Sequence, residues 1–348
     1  MFNKNSYQKA LNFMPKVTVL TTFHNGRKTI EKAIESILNQ SFKDFEYLLV
    51  DDGSTDETAL LINGFKDERI YLVDPGRIGR AAALNLGLQK AKCDYVAILD
   101  ADDEAYPNRL FKQKEILDNS QVSLVASNAS IYDDCENSLG QTNFSSDHNS
   151  LVKDILQLNP FPHSSVMFRR KDALIFSGYN ERCVKSIDFN MYLDLLQEKR
   201  RFFCIEENLI KLRVYATSWG ASDTESLQFF YGYLGLISYY INMKNGKRIM
   251  RGDIKDFRII ENIFKGWFYK SDVYKRRMAK QYFRQFHEAI RKGKFNKSIE
   301  SFLKAFRNDS MFWTYRGFKF NYEEDILNFL EYASKESLRV REILDYEI

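Results

Sequence analysis

Hydrophobic and polar positions along the first 130 residues switch repeatedly between two periods. VTVLTT (Val17 to Thr22) is a short apolar, β-branched run; within Lys28 to Gln40, Ile30, Ala33, Ile34, Ile37 and Leu38 then recur at helical spacing. FEYLLV (Phe45 to Val50) predicts a second strand, Asp56 to Phe65 a helix, Ile70 to Val73 a short strand, Gly79 to Ala91 a helix and YVAILD (Tyr95 to Asp100) another buried strand. Pro107 stands where a helix can begin, since the first turn needs no proline N–H, and Arg109 to Asp118 continues it. VSLVAS (Val122 to Ser127) closes the series. Strands alternating with helices imply βαβ units and a mostly parallel sheet, whose ligands bind beyond the carboxyl ends of the strands.

The pattern then weakens. Ser127 to Asn159 is polar and reads as loops with an edge strand. Ser164 to Phe168 predicts a short strand, Asp188 to Gln197 a helix, and Phe202 to Ile205 and Leu209 to Tyr215 two further strands. Beyond Ser222 the chain is helical, aromatic and basic, with breaks near Asn245-Gly246, Gly252, Gly266 and Lys292-Gly293. Lys280 to Arg291 and Phe295 to Phe306 fit a helical hairpin of tetratricopeptide type. The most apolar stretch, Leu227 to Met243, carries Gln228, Ser238, Asn242 and several tyrosines, so it predicts a buried or interfacial helix in preference to a membrane span. The domain organisation expected is an N-terminal extension (1–14), a catalytic domain (15–222) and a helical C-terminal region (223–348).

Composition narrows the function. At 348 residues with 44% hydrophobic and 28% charged residues, the chain can bury a sizeable core, and its 28 Phe and 20 Tyr exclude global disorder. A net charge of +4 is too mild for a dedicated nucleic-acid binder. Cys93, Cys135, Cys183 and Cys204 show neither metal-ligand spacing nor a disulfide framework, which points to reduced thiols in a cytoplasmic protein. The first residues carry no apolar run of signal-peptide length.

Acidic residues cluster at two strand ends. Asp51 and Asp52 follow FEYLLV; Asp100, Asp102 and Asp103 fall at the end of YVAILD and just after it. Carboxylates crowded at the ligand-binding rim of a parallel sheet repel one another unless a cation neutralises them. Hard oxygen ligands suit Mg²⁺ or Mn²⁺, which keep open positions for phosphates. A metal-bridged diphosphate follows, with Asp102 the metal ligand; Asp56 and Asp103 are also read as helix-capping or turn residues.

With these motifs in register, the chain resembles the family 2 glycosyltransferases. The resemblance runs through PKVTVLTTFHNGRKTIEKAIESILNQSFKDFEYLLVDDGSTDET and GRAAALNLGLQKAKCDYVAILDADD, returns at PHSSVMFRR, GYNE and SIDFNMYLDLL, and fades after about Trp219. It implies the GT-A nucleotide-diphospho-sugar transferase fold, a mostly parallel mixed sheet flanked by helices, here with a helical C-terminal extension. It also implies that Thr22 contacts the base or ribose, His24 lies against the base, and Asp52 accepts a hydrogen bond from a base N–H, which favours uracil or guanine. Arg80 would approach phosphate or sugar, Asp100 the ribose or sugar, and Asp102 the metal. Inverting transfer needs a general base for the acceptor hydroxyl. The family places it at a helix start after a Glu; Ile187-Asp188 stands there, so Asp188 is the candidate. Asp194 lies about 600° further round that helix and is a poor second base. His163 is placed near the donor sugar or acceptor, and Arg213 against the diphosphate. Tyr215 replaces a histidine that relatives use as a metal ligand.

The function expected is an inverting, metal-dependent glycosyltransferase using a UDP-sugar and a saccharide acceptor, one that is lipid-linked in surface-polysaccharide synthesis. The C-terminal helices would pack on the catalytic domain or on another copy, as a homo-oligomer, lie on the anionic inner face of the membrane, or bind nucleic acid or another protein. Two rivals are a non-catalytic sugar-nucleotide or glycan binder and a nucleotidyltransferase. TTFHNGRK offers the latter no glycine-rich phosphate loop, and no G-x-G-x-x-G follows the first strand to suggest a dehydrogenase.

Overall fold

A computed structural model describes residues 15–157, 161–215, 222–276, 278–279, 282, 295–308 and 322–336. The expected extension 1–14 and nearly all of the expected helix Lys280 to Arg291, with the break at Lys292-Gly293, lie outside them. The chain divides into two compact units, Met1–Ala216 and Thr217–Ile348.

The first unit is built on a nine-stranded sheet. Its strands are β1 (Val17–Phe23), β2 (Phe45–Asp51), β3 (Ile70–Val73), β4 (Tyr95–Ile98), β5 (Glu104–Ala105), β6 (Leu124–Asp133), β7 (Ser138–Gln141), β8 (Met167–Arg169) and β9 (Phe202–Val214). Their order is β3-β2-β1-β4-β8-β6-β9-β5, with β7 paired to β6. β1, β2, β3 and β4 run parallel, as do β6 and β9; β8 runs antiparallel to both neighbours. The β1–β2 register sets Val17 against Phe45 and Phe23 against Asp51, so these strands end together and deliver His24 and Asp52 to one edge.

β1 and β2 are buried on nearly every residue, as a strand covered on both faces must be. Helix Ile30–Leu38 covers one face with Ile30, Ala33, Ile34 and Ile37, the i, i+3, i+4, i+7 stripe of its sequence. Each isoleucine buried there contributes about 1.5–3 kcal/mol. Helix Arg80–Lys90 packs so closely that a Cβ at Gly87 would lie 2.3 Å from Leu20 Cδ1.

Four expectations are corrected. Ser164 to Phe168 is not one strand: a 3₁₀ turn, His163–Ser165, precedes β8. The two strand candidates near residue 205 are one strand, β9, with irregular register against β6 at Ser127 to Ala129. The polar middle is more ordered than its composition suggests, holding most of β6, the exposed strand β7 and helix His148–Ile155, which Asp147 caps through the Ser150 N–H at 2.8 Å. Gly266 does not break a helix. Helix Ile254–Phe268 runs through it, and a Cβ there would come within 3.2 Å of Tyr332 Oη on helix Tyr322–Glu336.

The second unit is helical. Helix Ser222–Asn245 ends just before Gly246, at φ +77°. Phe230, Tyr233, Phe264, Trp267, Phe268 and Phe329 form its aromatic core. Inward carboxylates are met by phenols, Tyr231 to Glu261 at 2.8 Å and Tyr233 to Asp325 at 2.7 Å. Among the described residues no helix is long and apolar enough to cross a membrane.

Candidate active site

Loops leave the carboxyl ends of β1, β2 and β4 and meet at the sheet edge. The first two are stitched together by Asn25, which sits at φ 57°. Its side-chain oxygen accepts the N–H of Thr55 at 2.8 Å and of Asp56 at 3.3 Å, and its own N–H donates to Ser54 Oγ at 2.9 Å. Asp51 Oδ1 accepts the Ser54 N–H at 2.7 Å. Gly53 is required twice over: φ is +70°, and a Cβ would lie 2.8 Å from Arg77 N.

Asp52 is buried. Oδ1 accepts the N–H groups of Ile78 at 2.8 Å and Gly79 at 2.7 Å, and Oδ2 pairs with Arg77 Nη1 at 2.9 Å. The carboxylate thus moulds the turn that starts helix Arg80–Lys90, and Oδ2 keeps lone-pair capacity for a further donor. His24 is exposed beside it, its Nδ1 3.1 Å from Asp52 O, while Thr22 is half-buried in β1.

Arg80 reaches from that helix to Asp100, with Nη2 2.7 Å from Oδ1, and to His163 Nδ1 at 3.3 Å. His163 Nδ1 also lies 3.5 Å from Asp100 Oδ1, and its Nε2 lies 2.9 Å from the Tyr179 hydroxyl oxygen. Asp100, Asp188 and Asp102 all act on the Arg80 guanidinium; the charge of Asp100 leads, and the guanidinium is held strongly protonated. Of the three, Asp100 is the one in contact with Arg80; Asp188, at the start of helix Ile187–Gln197, and Asp102 act on it through their charge.

The acidic residues differ in what their surroundings do to them. Burial opposes ionisation of Asp100, but the charge of Arg80 and a hydrogen bond with His163 outweigh it and hold the carboxyl below the usual range. Burial and then the charge of Asp100 push Asp102 up from 3.8 to about 6. Among the described residues Asp102 makes no ion pair, unlike Asp52 and Asp100. Asp103 is buried and pushed well up, by burial first and then by Asp102 and Asp100. It accepts the Arg213 N–H at 2.8 Å and a short hydrogen bond from Ser164, whose Oγ accepts the Asp100 N–H at 2.9 Å. Beneath it lies Arg109, wholly buried, donating to Ile98 O at 2.7 Å and Val166 O at 3.1 Å. Burial pulls its guanidinium down to about 9.

The Arg213 side chain is tied back, 3.0 Å from Glu104 and 2.7 Å from Glu136, and Lys211 and Lys32 also pair with Glu136. Its charge still acts on Asp102. The Tyr215 hydroxyl is pushed up to about 12 by burial and then by the charge of Asp102, so it stays a neutral group. Asp188 is half-buried at the second position of helix Ile187–Gln197, and Asp194 is buried further along it.

Several contributors escaped the sequence reading: Asn25, Arg77, Ser164, Tyr179 and Asn85. Asn85 donates to Tyr179 O at 2.9 Å and Glu181 at 2.8 Å and accepts the Tyr179 N–H at 2.7 Å, pinning the GYNE loop to helix Arg80–Lys90. The residue signal for this partnership was Gly178 at φ +82°, where a Cβ would strike Asn85 Oδ1 at 2.3 Å.

Comparison with known proteins agrees with this architecture. The family model described as "Glycosyl transferase family 2" matches residues 18–176. An uncharacterized glycosyltransferase of Haemophilus influenzae is 31% identical over 191 residues, covering 54% of this chain and 74% of that protein. The O-antigen biosynthesis glycosyltransferase WbnJ of Escherichia coli is 26% identical over 216 residues, covering 60% of this chain and 84% of its own length. The crystal structure of S. aureus TarS 1–349 in complex with UDP-GlcNAc aligns over 83% of this chain and 90% of its own, with a TM-score of 0.51 at 14% identity. Fold and relatives together define a glycosyltransferase of GT-A architecture. The chain belongs to glycosyl transferase family 2.

Proposed function

We propose that the protein is an inverting, metal-dependent transferase that moves a sugar from a UDP-sugar to a saccharide acceptor, with the first unit as its catalytic domain. The observation that carries this reading is the Arg80–Asp100 ion pair at 2.7 Å, on whose guanidinium the charges of Asp188 and Asp102 also act. The TarS structure with UDP-GlcNAc and the O-antigen role in the name of WbnJ support a UDP-sugar donor and a surface-polysaccharide product.

Asp52 Oδ2 and His24 receive the base, Thr22 the base or ribose, and Asp100, Arg80 and His163 the sugar and diphosphate side. Arg213 adds positive charge near Asp102. The residues fit a hard divalent cation, Mn²⁺ or Mg²⁺: Asp102 is an oxygen ligand with no ion pair of its own among the described residues, pushed up towards neutrality by burial and then by the charge of Asp100. When bound, the cation supplies charge neutralisation for the diphosphate.

The remaining chemistry belongs to Asp188. It takes the proton of the acceptor hydroxyl as that oxygen bonds to the anomeric carbon and the bond to the diphosphate breaks on the opposite face, so the configuration inverts. The acceptor is a lipid-linked saccharide, reached from the cytoplasmic face of the membrane. Residues 217–348 hold 24 of the 51 Lys and Arg but 17 of the 47 Asp and Glu, a local net charge of +7 that suits an anionic surface.

The deciding experiment pairs a thermal-shift screen of UDP and UDP-sugars, with and without Mn²⁺, with a transfer assay. UDP should stabilise the protein only with metal, Asp102→Ala should abolish that stabilisation, and Asp188→Asn should retain it while losing transfer. Transfer by Asp188→Asn at the wild-type rate would overturn the reading.

A further inference from the structure

We propose that Ser164 is a positioning residue for the cation site: its hydroxyl ties together both ends of the turn that presents Asp102, so that the carboxylate is held in place before a divalent cation and UDP arrive. The inference rests on the reading of Asp102 as the metal ligand. The Asp103 N–H donates to Asp100 O at 3.1 Å, which makes Asp100 to Asp103 a four-residue turn with Ala101 and Asp102 at its centre. One side-chain oxygen from a distant segment then joins the first and last residues of that turn. Ser164 Oγ accepts the Asp100 N–H at 2.9 Å and donates its own hydrogen to Asp103 Oδ2. A serine hydroxyl has one hydrogen to give, and both its roles are used here on the same turn. The other oxygen of Asp103 accepts the Arg213 N–H at 2.8 Å, so β9 is fastened to the same point.

The hydroxyl is mounted on the core and takes over where the sheet stops. Leu99 N–H still reaches β1, at Leu20 O, 3.1 Å away; the next N–H, that of Asp100, goes to Ser164. Ser164 is wholly buried in the 3₁₀ turn His163–Ser165. That turn is held by bonds which do not involve the Ser164 hydroxyl. Ser165 donates to Pro162 O from its N–H and from its Oγ, both at 2.8 Å, and buried Gln113 of helix Arg109–Asn119 donates to Ser165 O at 2.7 Å. An alanine at 164 therefore leaves the 3₁₀ turn its own bonds and removes the two that reach the Asp100–Asp103 turn. Removing a group that orients a metal ligand typically weakens metal binding about 10- to 100-fold.

The test compares Ser164→Ala with Ser165→Ala, a control that loses a hydrogen bond of the same 3₁₀ turn and touches neither aspartate. Each protein is melted with saturating UDP across a Mn²⁺ titration, and the Mn²⁺ concentration giving half of the UDP-dependent shift is read. Ser164→Ala should raise that concentration about 10-fold or more and recover the full shift at excess Mn²⁺, while Ser165→Ala keeps the wild-type value. A lower melting temperature alone is what any lost buried hydrogen bond gives and does not count. An unchanged Mn²⁺ requirement in Ser164→Ala, or an equal rise in Ser165→Ala, overturns the role of Ser164. Should alanine at 164 prevent folding, Ser164→Cys keeps nearly the same volume with a weak donor and acceptor, and a wild-type Mn²⁺ requirement there overturns it equally. If the wild type itself shows no Mn²⁺-dependent shift with UDP, the reading of Asp102 has failed instead.

Discussion

At the residue scale the division of labour among the carboxylates decides most. Asp52 and Asp103 are spent on the protein's own backbone, Asp100 is paired with Arg80, and Asp102 stands without an ion pair among the described residues. Because the Asp102 value is raised in the fold, the folded protein holds that proton over a pH range where the unfolded chain has released it. Its contribution to stability is therefore full below the ordinary value of 3.8 and is lost as pH rises to about 6. A cation favours the ionised form and reverses this. Stabilisation by Mn²⁺ with UDP should accordingly be largest above pH 6 and fade as pH falls from 6 towards 4, read by differential scanning fluorimetry across that range. Gly53 supplies a second residue-level prediction. Gly53→Ala meets both a positive φ and the Arg77 backbone, and should destabilise by roughly 1–3 kcal/mol in chemical denaturation.

At the scale of elements, the tie between helix Arg80–Lys90 and the GYNE loop is the most informative. Asn85→Ala deletes three hydrogen bonds and strands the buried Tyr179 N–H. It should cost about 2 kcal/mol of stability and expose Arg182 and Lys185 to trypsin, seen as faster cleavage between helices in limited digestion. Elements like this also mark how far the sequence could be read. β1, β2 and β4 and their helices were legible because burial on both faces leaves near-continuous apolar runs and one-sided helices leave a stripe. The DAD loop was legible because strand-end carboxylates are chemically costly to crowd. Helix His148–Ile155 and the continuation of β6 beyond Ser127 were not, since each is largely half-exposed and reads as polar. The 3₁₀ turn at His163 was hidden because it is set by Ser164 bonding to residues some 60 positions away, Asp100 and Asp103. Gly266 misled because its reason is a neighbouring helix and not its own backbone.

For the whole molecule, charge is distributed unevenly. With 27 Lys and Arg against 30 Asp and Glu, residues 1–216 carry a net −3, and the remainder carries +7. Long-range attraction to an anionic surface should therefore reside in the C-terminal unit and be screened within a Debye length of about 8–10 Å at physiological salt. The full-length protein is expected to float with vesicles containing phosphatidylglycerol at low salt and to dissociate as salt is raised. Vesicles of phosphatidylcholine alone should leave it in solution. Absence of binding to the anionic vesicles at low salt would remove the membrane from the proposed setting.

The pairing of β9 with both β6 and β5 also has a consequence for how the protein is made. The ribosome delivers Asp100, Asp102 and Asp103 about a hundred residues before Arg213, whose N–H holds Asp103, and before Lys211, which sits opposite Glu104. Partners so remote in sequence join late. A nascent chain that has emerged only as far as β8 therefore carries its acidic loop without the strand that fixes it, and a message truncated before codon 202 should yield an open sheet edge, short-lived and prone to stick to its siblings.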